Sequence, residues 1–256
     1  MIRENKVKKM LKDGKSAIGT FVKINDPAVV EVLGSSGYDF IIIDNEHTAM
    51  NKESMVNLIR AADISGIVPT VRVRENSAAE ILQALDAGAL GVQVPQVDTL
   101  QEARDVVDRV KYWPGGKRGF VASHRACGYG VMEPMEYARM SNENTLVVCY
   151  CETADAIKNL DEILSVQDID VIFMGPYDLS QALGVIGQPN HPKVIESMDY
   201  ITKKVLNSGK AVGTIAPDAA KAQELINKGV QYISLSSDIG LIASLSKNYF
   251  RQLGRI

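Results

Sequence analysis

The sequence has little net charge and lacks long apolar runs. It contains 28 lysine and arginine residues against 31 acidic ones, which gives a net charge of −3. This balance gives no reason to expect a nucleic acid or an anionic membrane surface as a partner. No apolar stretch approaches the ~20 residues that a membrane span requires. We therefore expect small molecules rather than polyanions or lipid as ligands.

Cysteine is also scarce, with Cys127, Cys149 and Cys151 as its only occurrences. Three thiols cannot all pair, which is typical of a protein from a reducing compartment, so we expect a cytoplasmic location. The first sixteen residues are charged and amphipathic and lack the apolar core of a secretory signal. Cys149 and Cys151 lie two apart in a predicted strand, and we expect them to be small buried side chains under the helices.

Familiar nucleotide and hydrolase motifs are missing as well. Gly14-Lys15-Ser16 resembles the end of a phosphate-binding loop, but it precedes the first predicted strand and lacks the upstream glycine. No G-x-G-x-x-G follows that strand. Ser123-His124 has no nucleophile elbow around it, so a serine hydrolase is not indicated.

What the sequence does contain is a regular alternation of short apolar runs and amphipathic segments over 256 residues, of which 46% are hydrophobic. Alternation without a linker predicts a parallel sheet in a single domain, residues 1–256, and eight units favour a closed (β/α)8 TIM barrel, an α/β fold. The predicted strands are residues 18–22, 40–43, 68–71, 90–94, 146–151, 171–174, 211–215 and 232–235. Residues 111–144, rich in glycine and arginine, break the pattern, and we expect them to fold over the active-site face.

In such a barrel the functional side chains follow the carboxyl ends of the strands. Several charged and polar groups occupy those positions, whereas the strand interiors are apolar. They are Phe21, the run Asp44-Asn45-Glu46-His47, Arg72, Gln93, Glu152, Asp178, Thr214 and the run Ser236-Ser237-Asp238.

Asp44 and His47 are close enough in sequence for the carboxylate to orient the imidazole. A carboxylate on one ring nitrogen fixes the tautomer and raises the basicity, as a general base requires. The alternative is that His47 caps the following helix. Arg72 could bind a carboxylate or a keto oxygen, although a single arginine after a strand is more often solvated.

Glu152 and Asp178 end two successive predicted strands. Carboxylates in this arrangement are typical ligands of Mg²⁺ or Mn²⁺, and the alternative is that both residues are helix N-caps. The sixth strand does not end in lysine, and Lys23 and Lys210 are not where a Schiff base would be expected. The sequence thus favours metal activation over a covalent imine.

A set of motifs in fixed order carries a family resemblance. They are D-x-E-H at positions 44–47, V-R-V at 71–73, P-Q-V-D-T at 95–99, G-x-R-G at 116–119, the strand that closes in Glu152, and G-P-x-D-L-S at 175–180. In these motifs the chain resembles the HpcH/HpaI aldolase family over nearly its whole length.

The resemblance implies a class II pyruvate aldolase on a TIM barrel, with an exchanged C-terminal helix and assembly as a homo-oligomer, a hexamer of paired subunits. It also implies Glu152 and Asp178 as ligands of Mg²⁺, Mn²⁺ or Co²⁺. The remaining site residues implied are the catalytic His47 with Asp44 as its orienting acid, the oxo-acid-binding Arg72, and the backbone amides near Tyr177 and Asp178 as carboxylate binders. Asp86 resembles an acid that reaches a neighbouring subunit's site in some relatives, but it is equally consistent with a helix end.

Two residues depart from the family pattern. Tyr150 replaces the more usual glutamine two residues before Glu152, and Phe21 replaces a frequent tryptophan after the first strand. Strand alternation places Tyr150 on the same face as Glu152, toward the cavity. Its phenol could narrow the pocket or donate a hydrogen bond to a ligand.

We expect a divalent-metal-dependent aldolase that cleaves a 4-hydroxy-2-oxo acid to pyruvate and an aldehyde. One alternative is a malyl- or citryl-type acyl-CoA lyase, for which Lys111, Lys117, Arg118 and Arg125 could form a basic rim for the CoA phosphates. Another is a catalytically silent protein that binds a metal and an oxo acid, with Tyr150 blocking the substrate position.

Overall fold

The computed structural model describes residues 2–255, and its centre is a closed barrel of eight parallel strands in sequential order. The predicted (β/α)8 fold is confirmed. The strands are β1 Ala17–Val22, β2 Phe40–Asp44, β3 Val68–Arg72, β4 Gly91–Val94, β5 Leu146–Tyr150, β6 Val171–Met174, β7 Ala211–Ala216 and β8 Tyr232–Ser237. β1 pairs with both β2 and β8, which closes the barrel.

Most of the helices follow a strand and cover the outside of the barrel. They are α1 Lys6–Lys12, α2 Pro27–Ser35, α3 Lys52–Ser65, α4 Ala78–Asp86, α5 Leu100–Val110, α6 Pro134–Asn144, α7 Ala154–Lys158, α8 Leu160–Leu164, α9 Pro176–Ala182, α10 Pro192–Asn207, α11 Ala219–Asn227 and α12 Asp238–Gln252. Local chemistry sets many of their ends. A capping box between Thr99 and Glu102 begins α5, for example, and Gly66 in the left-handed conformation ends α3.

The side chains of each strand divide between two apolar clusters. In β2, Phe40 and Ile42 face the barrel interior, whereas Ile41 and Ile43 pack under the helices. This division follows from the period of two in an extended strand, and burial on both faces explains why the strands are continuous apolar runs. Cys149 and Cys151 lie in the outer cluster, free and buried, as the sequence predicted.

Residues 111–144 do not cover the active-site face, and that expectation was wrong. The segment joins α5 to β5, so it begins and ends at the amino ends of the strands. Tyr112, Cys127 and Tyr137 pack there with Leu146, the first residue of β5. The α1 helix lies against the same end, and the amide of Ile2 donates to the carbonyl of Ala126. Because helix α5 runs antiparallel to its strand, a long α-to-β loop must emerge at the amino end.

The last helix differs from the others in its exposure. The side chains of α12 are exposed from Ile242 to its end, including Leu245, Tyr249 and Phe250. A helix that exposes apolar side chains in this way lacks the cover that amphipathic surface helices normally have. No helix within residues 2–255 is long and apolar enough to span a membrane.

Candidate active site

Asp44 lies at the centre of a charged group at the carboxyl ends of β1, β2 and β3. Its side chain is fully buried and accepts hydrogen bonds from Arg72 Nε at 3.0 Å and Arg72 Nη2 at 2.8 Å. The amides of Glu46 and His47 donate to Oδ1 at 3.2 Å each. Burial alone would raise the pKa of Asp44, but the paired Arg72 and the other donors bring it below the ordinary value. Asp44 is therefore a fixed anion that uses its lone pairs to position its neighbours.

The predicted contact between the Asp44 carboxylate and the His47 imidazole is not present. Asp44 bonds the His47 backbone instead, because its two oxygens are already engaged by Arg72. The carboxylate nearest the ring is Glu46, with Oε2 at 3.7 Å from His47 Nε2. The His47 side chain is more than half exposed, so the ring can reach a ligand above the barrel mouth.

Arg72 connects the two acids of the D-x-E-H motif. Besides its two bonds to Asp44, it approaches Glu46 Oε2 with Nη1 at 2.9 Å. Its guanidinium carbon lies 4.8 Å from the centre of the Phe21 ring and 5.8 Å from that of Tyr150. Phe21 and Tyr150 thus form an aromatic floor beneath the guanidinium, which holds its plane in place.

Lys23 also belongs to this group, although the sequence argument dismissed it. Its ammonium lies 3.1 Å from Asp44 Oδ2, and its side chain is largely buried. Strand alternation could have predicted this position. Phe21 faces the barrel interior, and Lys23, two residues further on, lies on the same face. Lys23 can thus act on the site through its charge without forming a Schiff base.

Glu152 and Asp178 converge on Gly175, the residue that follows β6. A Cβ atom placed on Gly175 would lie 2.6 Å from Asp178 Oδ2 and 2.9 Å from Glu152 Oε2. Neither carboxylate is a helix N-cap, since Thr153 caps α7 and the N-cap position of α9 is Gly175. The helix-cap alternative is also wrong for His47, because Asn51 caps α3.

This pair of carboxylates fits a hard divalent cation. Glu152 is buried and accepts one hydrogen bond, from the amide of Gln96 at 3.0 Å. Burial and the nearby charge of Asp178 raise the pKa of Glu152 to about 8. Two carboxylate oxygens that converge on one point, one of them on a buried side chain, match the ligand preference of Mg²⁺ or Mn²⁺. Within residues 2–255 no third histidine, cysteine or acid completes the set, so water or substrate would supply the remaining ligands.

Tyr150 faces the barrel interior, and its hydroxyl is directed at a neighbouring side chain. It donates to Gln93 Oε1 at 2.7 Å, and the ring stacks on Phe173 at 4.6 Å between centroids. Gln93 in turn donates to Thr70 and to Tyr232. Burial raises the pKa of Tyr150 well above its ordinary value, which keeps the phenol neutral. The Tyr150 hydroxyl is thus engaged by Gln93, and the ring is part of the floor.

Tyr177 and Asp178 lie in the first turn of α9, both exposed at the barrel mouth. No side chain caps this helix, so the first-turn amides have no intrahelical acceptor. These amides and Arg72 lie at the same end of the barrel as the Glu152–Asp178 pair.

The basic rim that an acyl-CoA lyase would need is not at this end. Lys111, Lys117, Arg118 and Arg125 all lie on the loop at the amino end, and each is already engaged. Lys111 donates to the carbonyl of Asn142 at 2.6 Å, Arg118 to Asp86 at 2.6 Å and Arg125 to Asp63 at 2.5 Å. Lys117 pairs with Asp108.

A closed (β/α)8 barrel with two converging carboxylates, an acid-paired arginine and a histidine at its carboxyl end is typical of an enzyme whose active site lies at the strand ends. Comparison with known proteins agrees: residues 17–244 match the family model described as HpcH/HpaI aldolase/citrate lyase. The chain belongs to this family, and the resemblance seen in its motifs is confirmed.

Individual relatives are similar over almost their whole length. The hydroxypyruvate/pyruvate aldolase of Roseobacter denitrificans is 32% identical over 245 residues, which cover 95% of each chain. A solved HpcH/HpaI aldolase/citrate lyase family protein from Burkholderia cenocepacia superposes with a TM-score of 0.92 at 26% identity, covering 97% of this chain and 99% of the other. A structure described as the citrate synthase SbnG gives a TM-score of 0.86 at 32% identity, over 97% and 98%.

Proposed function

We propose that this protein is a divalent-metal-dependent aldolase that cleaves a 4-hydroxy-2-oxo acid reversibly to pyruvate and an aldehyde. The observation that supports this most directly is the convergence of Glu152 and Asp178 on Gly175, at the barrel end that also holds Arg72. The related aldolase from Roseobacter denitrificans supports the same reaction class.

Glu152 and Asp178 would hold Mg²⁺, Mn²⁺ or Co²⁺. When bound, such an ion acts as a Lewis acid toward the carboxylate and keto oxygens of a 2-oxo acid. The chain's own groups orient the substrate. The uncapped amides of Tyr177 and Asp178 would receive the substrate carboxylate, and Arg72 has guanidinium hydrogens left over after its bonds to Asp44 and Glu46.

Arg72 and His47 have separate roles in bond cleavage. His47, directly or through one water, removes the proton of the 4-hydroxyl group. The electrons of that O–H bond form the aldehyde carbonyl as the C3–C4 bond breaks. Arg72 stabilises the negative charge that develops on the 2-oxo oxygen, and protonation at C3 then gives pyruvate. Asp44 keeps Arg72 in place, and Phe21 and Tyr150 support it from below.

We further propose that the chain forms a homo-oligomer, a hexamer of paired subunits, in which α12 is exchanged between protomers. The exposed apolar side chains of α12 support this arrangement, because a neighbouring barrel would bury them. The free, unpaired state of the cysteines supports a cytoplasmic location.

A second candidate is acyl-CoA chemistry, favoured by the 32% identity to the structure described as a citrate synthase. The basic loop residues do not support it, since they lie at the far end of the barrel and are engaged there. The third candidate, a silent oxo-acid-binding protein, required Tyr150 to block the site, whereas Tyr150 lies in the floor.

A lactate dehydrogenase-coupled assay on 4-hydroxy-2-oxo acids tests the proposal. We expect pyruvate release that EDTA abolishes and that Mg²⁺, Mn²⁺ or Co²⁺ restores. Trapping of a pyruvate adduct by borohydride would contradict the mechanism. Cleavage of CoA esters without aldolase activity would favour the second candidate, and pyruvate binding in calorimetry without turnover would favour the third.

A further inference from the structure

Lys23 is a charged group in the site that the proposed reaction steps do not use. Its ammonium contacts Asp44 Oδ2 at 3.1 Å, and its side chain is 29% exposed. An ammonium has three donors. Within residues 2–255 the structure gives it no second acceptor, so two of its donors are not engaged by the chain.

The position of Lys23 is fixed by the backbone. The amides of Lys23 and Ile24 both donate to Asp238 Oδ2, at 2.9 and 2.8 Å. Asp238 is buried at the start of α12, so this turn after β1 is held from below. Lys23 is thus a preorganised cation, unlike a surface lysine that moves freely in water.

The charge of Lys23 neutralises its surroundings. Asp44 and Glu46 contribute two negative charges, and Arg72 contributes one positive charge. With Lys23 these four groups sum to zero, and without it they would leave one net negative charge beside the substrate. An anionic ligand would be repelled from the site in the second case and accepted in the first.

The barrel topology places Lys23 on the aldehyde side of the site. β1 lies next to β2 and β8, across the barrel from β5 and β6, which supply Glu152 and Asp178. The pyruvate portion of the substrate is held at β5 and β6 in the proposed mechanism. The other portion extends from C4 toward His47 and the end of β1.

We propose that Lys23 determines acceptor specificity by binding an anionic group on the aldehyde, so that the natural aldehyde carries a carboxylate, sulfonate or phosphate. This inference rests on the proposed aldolase function. Lys23 acts here through its two unengaged donors and its charge, and it forms no covalent bond.

The test compares aldehydes that differ only in charge, in aldol addition to pyruvate. Succinic semialdehyde and butanal form the carboxylate pair, and three-carbon aldehydes that end in phosphate or sulfonate are compared with glyceraldehyde. We expect the enzyme to prefer at least one anionic acceptor over its uncharged match. Lys23→Met should lower kcat/KM for that acceptor roughly 10- to 100-fold, as expected for loss of one charge-assisted hydrogen bond. The value for the uncharged match should fall by a smaller factor, because it makes no such bond, so the ratio of the two values should fall.

Lys23→Arg serves as the matched control, since it keeps the charge and should retain most of the preference. In Lys23→Met the KM for pyruvate should rise by the same factor with either acceptor, because pyruvate is itself an anion. The preference is therefore read as the ratio of kcat/KM between matched acceptors, and thermal melting checks that both variants fold. An equal loss on charged and uncharged acceptors would overturn the inference, as would an enzyme without any preference for an anionic acceptor. Absence of turnover with every aldehyde is a different result: it would reject the aldolase function itself and this inference with it.

Discussion

The two ends of the barrel both contain buried charge, but they use it differently. At the amino end the buried cations donate hydrogen bonds to acceptors within the chain itself. Lys8 Nζ donates to the carbonyl of Thr145 at 2.8 Å and to Asp170 at 2.9 Å, and Arg118 pairs with Asp86. At the carboxyl end, Glu152 accepts a single amide, and Lys23 has donors to spare.

This contrast separates structural charge from functional charge. Three buried polar atoms at the amino end also lack a hydrogen-bond partner, namely Arg118 Nε, His124 Nε2 and the Tyr112 hydroxyl. None of them leaves a net charge unpaired, because Arg118 already has Asp86 and burial lowers the pKa of His124. Unpaired carboxylate and ammonium capacity occurs at the carboxyl end, where barrels of this type have their active sites.

The largest effect should follow from neutralising the carboxylate pair. Glu152→Gln or Asp178→Asn should remove the metal and lower turnover by about 10³-fold or more, because a neutral amide is a weaker ligand for a hard cation. Elemental analysis and the coupled assay measure both effects. Asp170→Asn at the amino end is the matched control and should keep its metal while losing stability. Unchanged metal content in both site variants would place the metal elsewhere.

His47→Ala and Arg72→Lys should separate two roles at the same barrel end. His47→Ala should lower turnover by roughly 10²- to 10⁴-fold, the usual effect of losing a general base, and leave pyruvate affinity nearly unchanged. Arg72→Lys should weaken pyruvate binding as well as turnover, since lysine cannot replace the forked contact with Asp44. Pyruvate titration by calorimetry, together with initial rates, distinguishes them. His191→Ala, at the start of α10, is the control for a histidine outside the site. Identical losses of pyruvate affinity in the first two variants would show that the roles are not divided.

Tyr150→Phe tests the aromatic floor, which lies between the two ends of the barrel. Removal of the hydroxyl leaves Gln93 Oε1 without its donor, which should cost about 1–3 kcal/mol of unfolding free energy. Turnover should change by less than about 3-fold if the ring alone supports Arg72. Urea unfolding and the coupled assay measure the two quantities. A large loss of turnover with unchanged stability would mean that the hydroxyl acts on the substrate after all.

At the amino end the expected effect is on stability alone. Burial and the charge of Lys8 lower the pKa of Lys111 from 10.5 to about 8. Between pH 8 and 10.5 the unfolded chain binds more protons at this site than the folded chain does, so stability rises with pH there. Below pH 8 Lys111 is charged in both states, and burying this charge costs the folded state up to about 3 kcal/mol.

Lys111→Met should therefore remove this rise, while exposed Lys193→Met should keep it. The measurement is the unfolding free energy in urea at pH 7 and pH 10.5, with turnover recorded in parallel. Parallel pH curves for Lys111→Met and the parent, or a loss of turnover, would contradict the assignment of this end to structure.

The sequence was sufficient for the barrel because its strands are continuous apolar runs between amphipathic segments. It was also sufficient to bring Asp44, Arg72, Glu152 and Asp178 to one end, since parallel strands share their direction. It was not sufficient to predict which of these side chains contact one another. Which acid lies nearest the His47 ring depends on the contacts that Arg72 makes first, and these join β3 to β2 and to the turn that follows β2.

The sequence analysis was also unable to predict at which end of the barrel a long loop lies. Glycine and arginine content identified residues 111–144 as a loop but not the end of the barrel to which it belongs. The direction of α5, which the loop follows, contained that information. Lys23 was within reach of the same reasoning, because alternation from Phe21 places it inside the mouth.

Gly175 makes the function of this barrel unusually easy to lose. Its missing Cβ leaves the space at which Glu152 and Asp178 converge, and the atoms that a methyl group would strike are the ends of two flexible side chains. The backbone there is ordinary, so alanine would fit the chain while pushing the carboxylates apart. Glycine and alanine codons differ by one base. A single nucleotide change can therefore turn this gene into one for an intact barrel whose two carboxylates no longer converge.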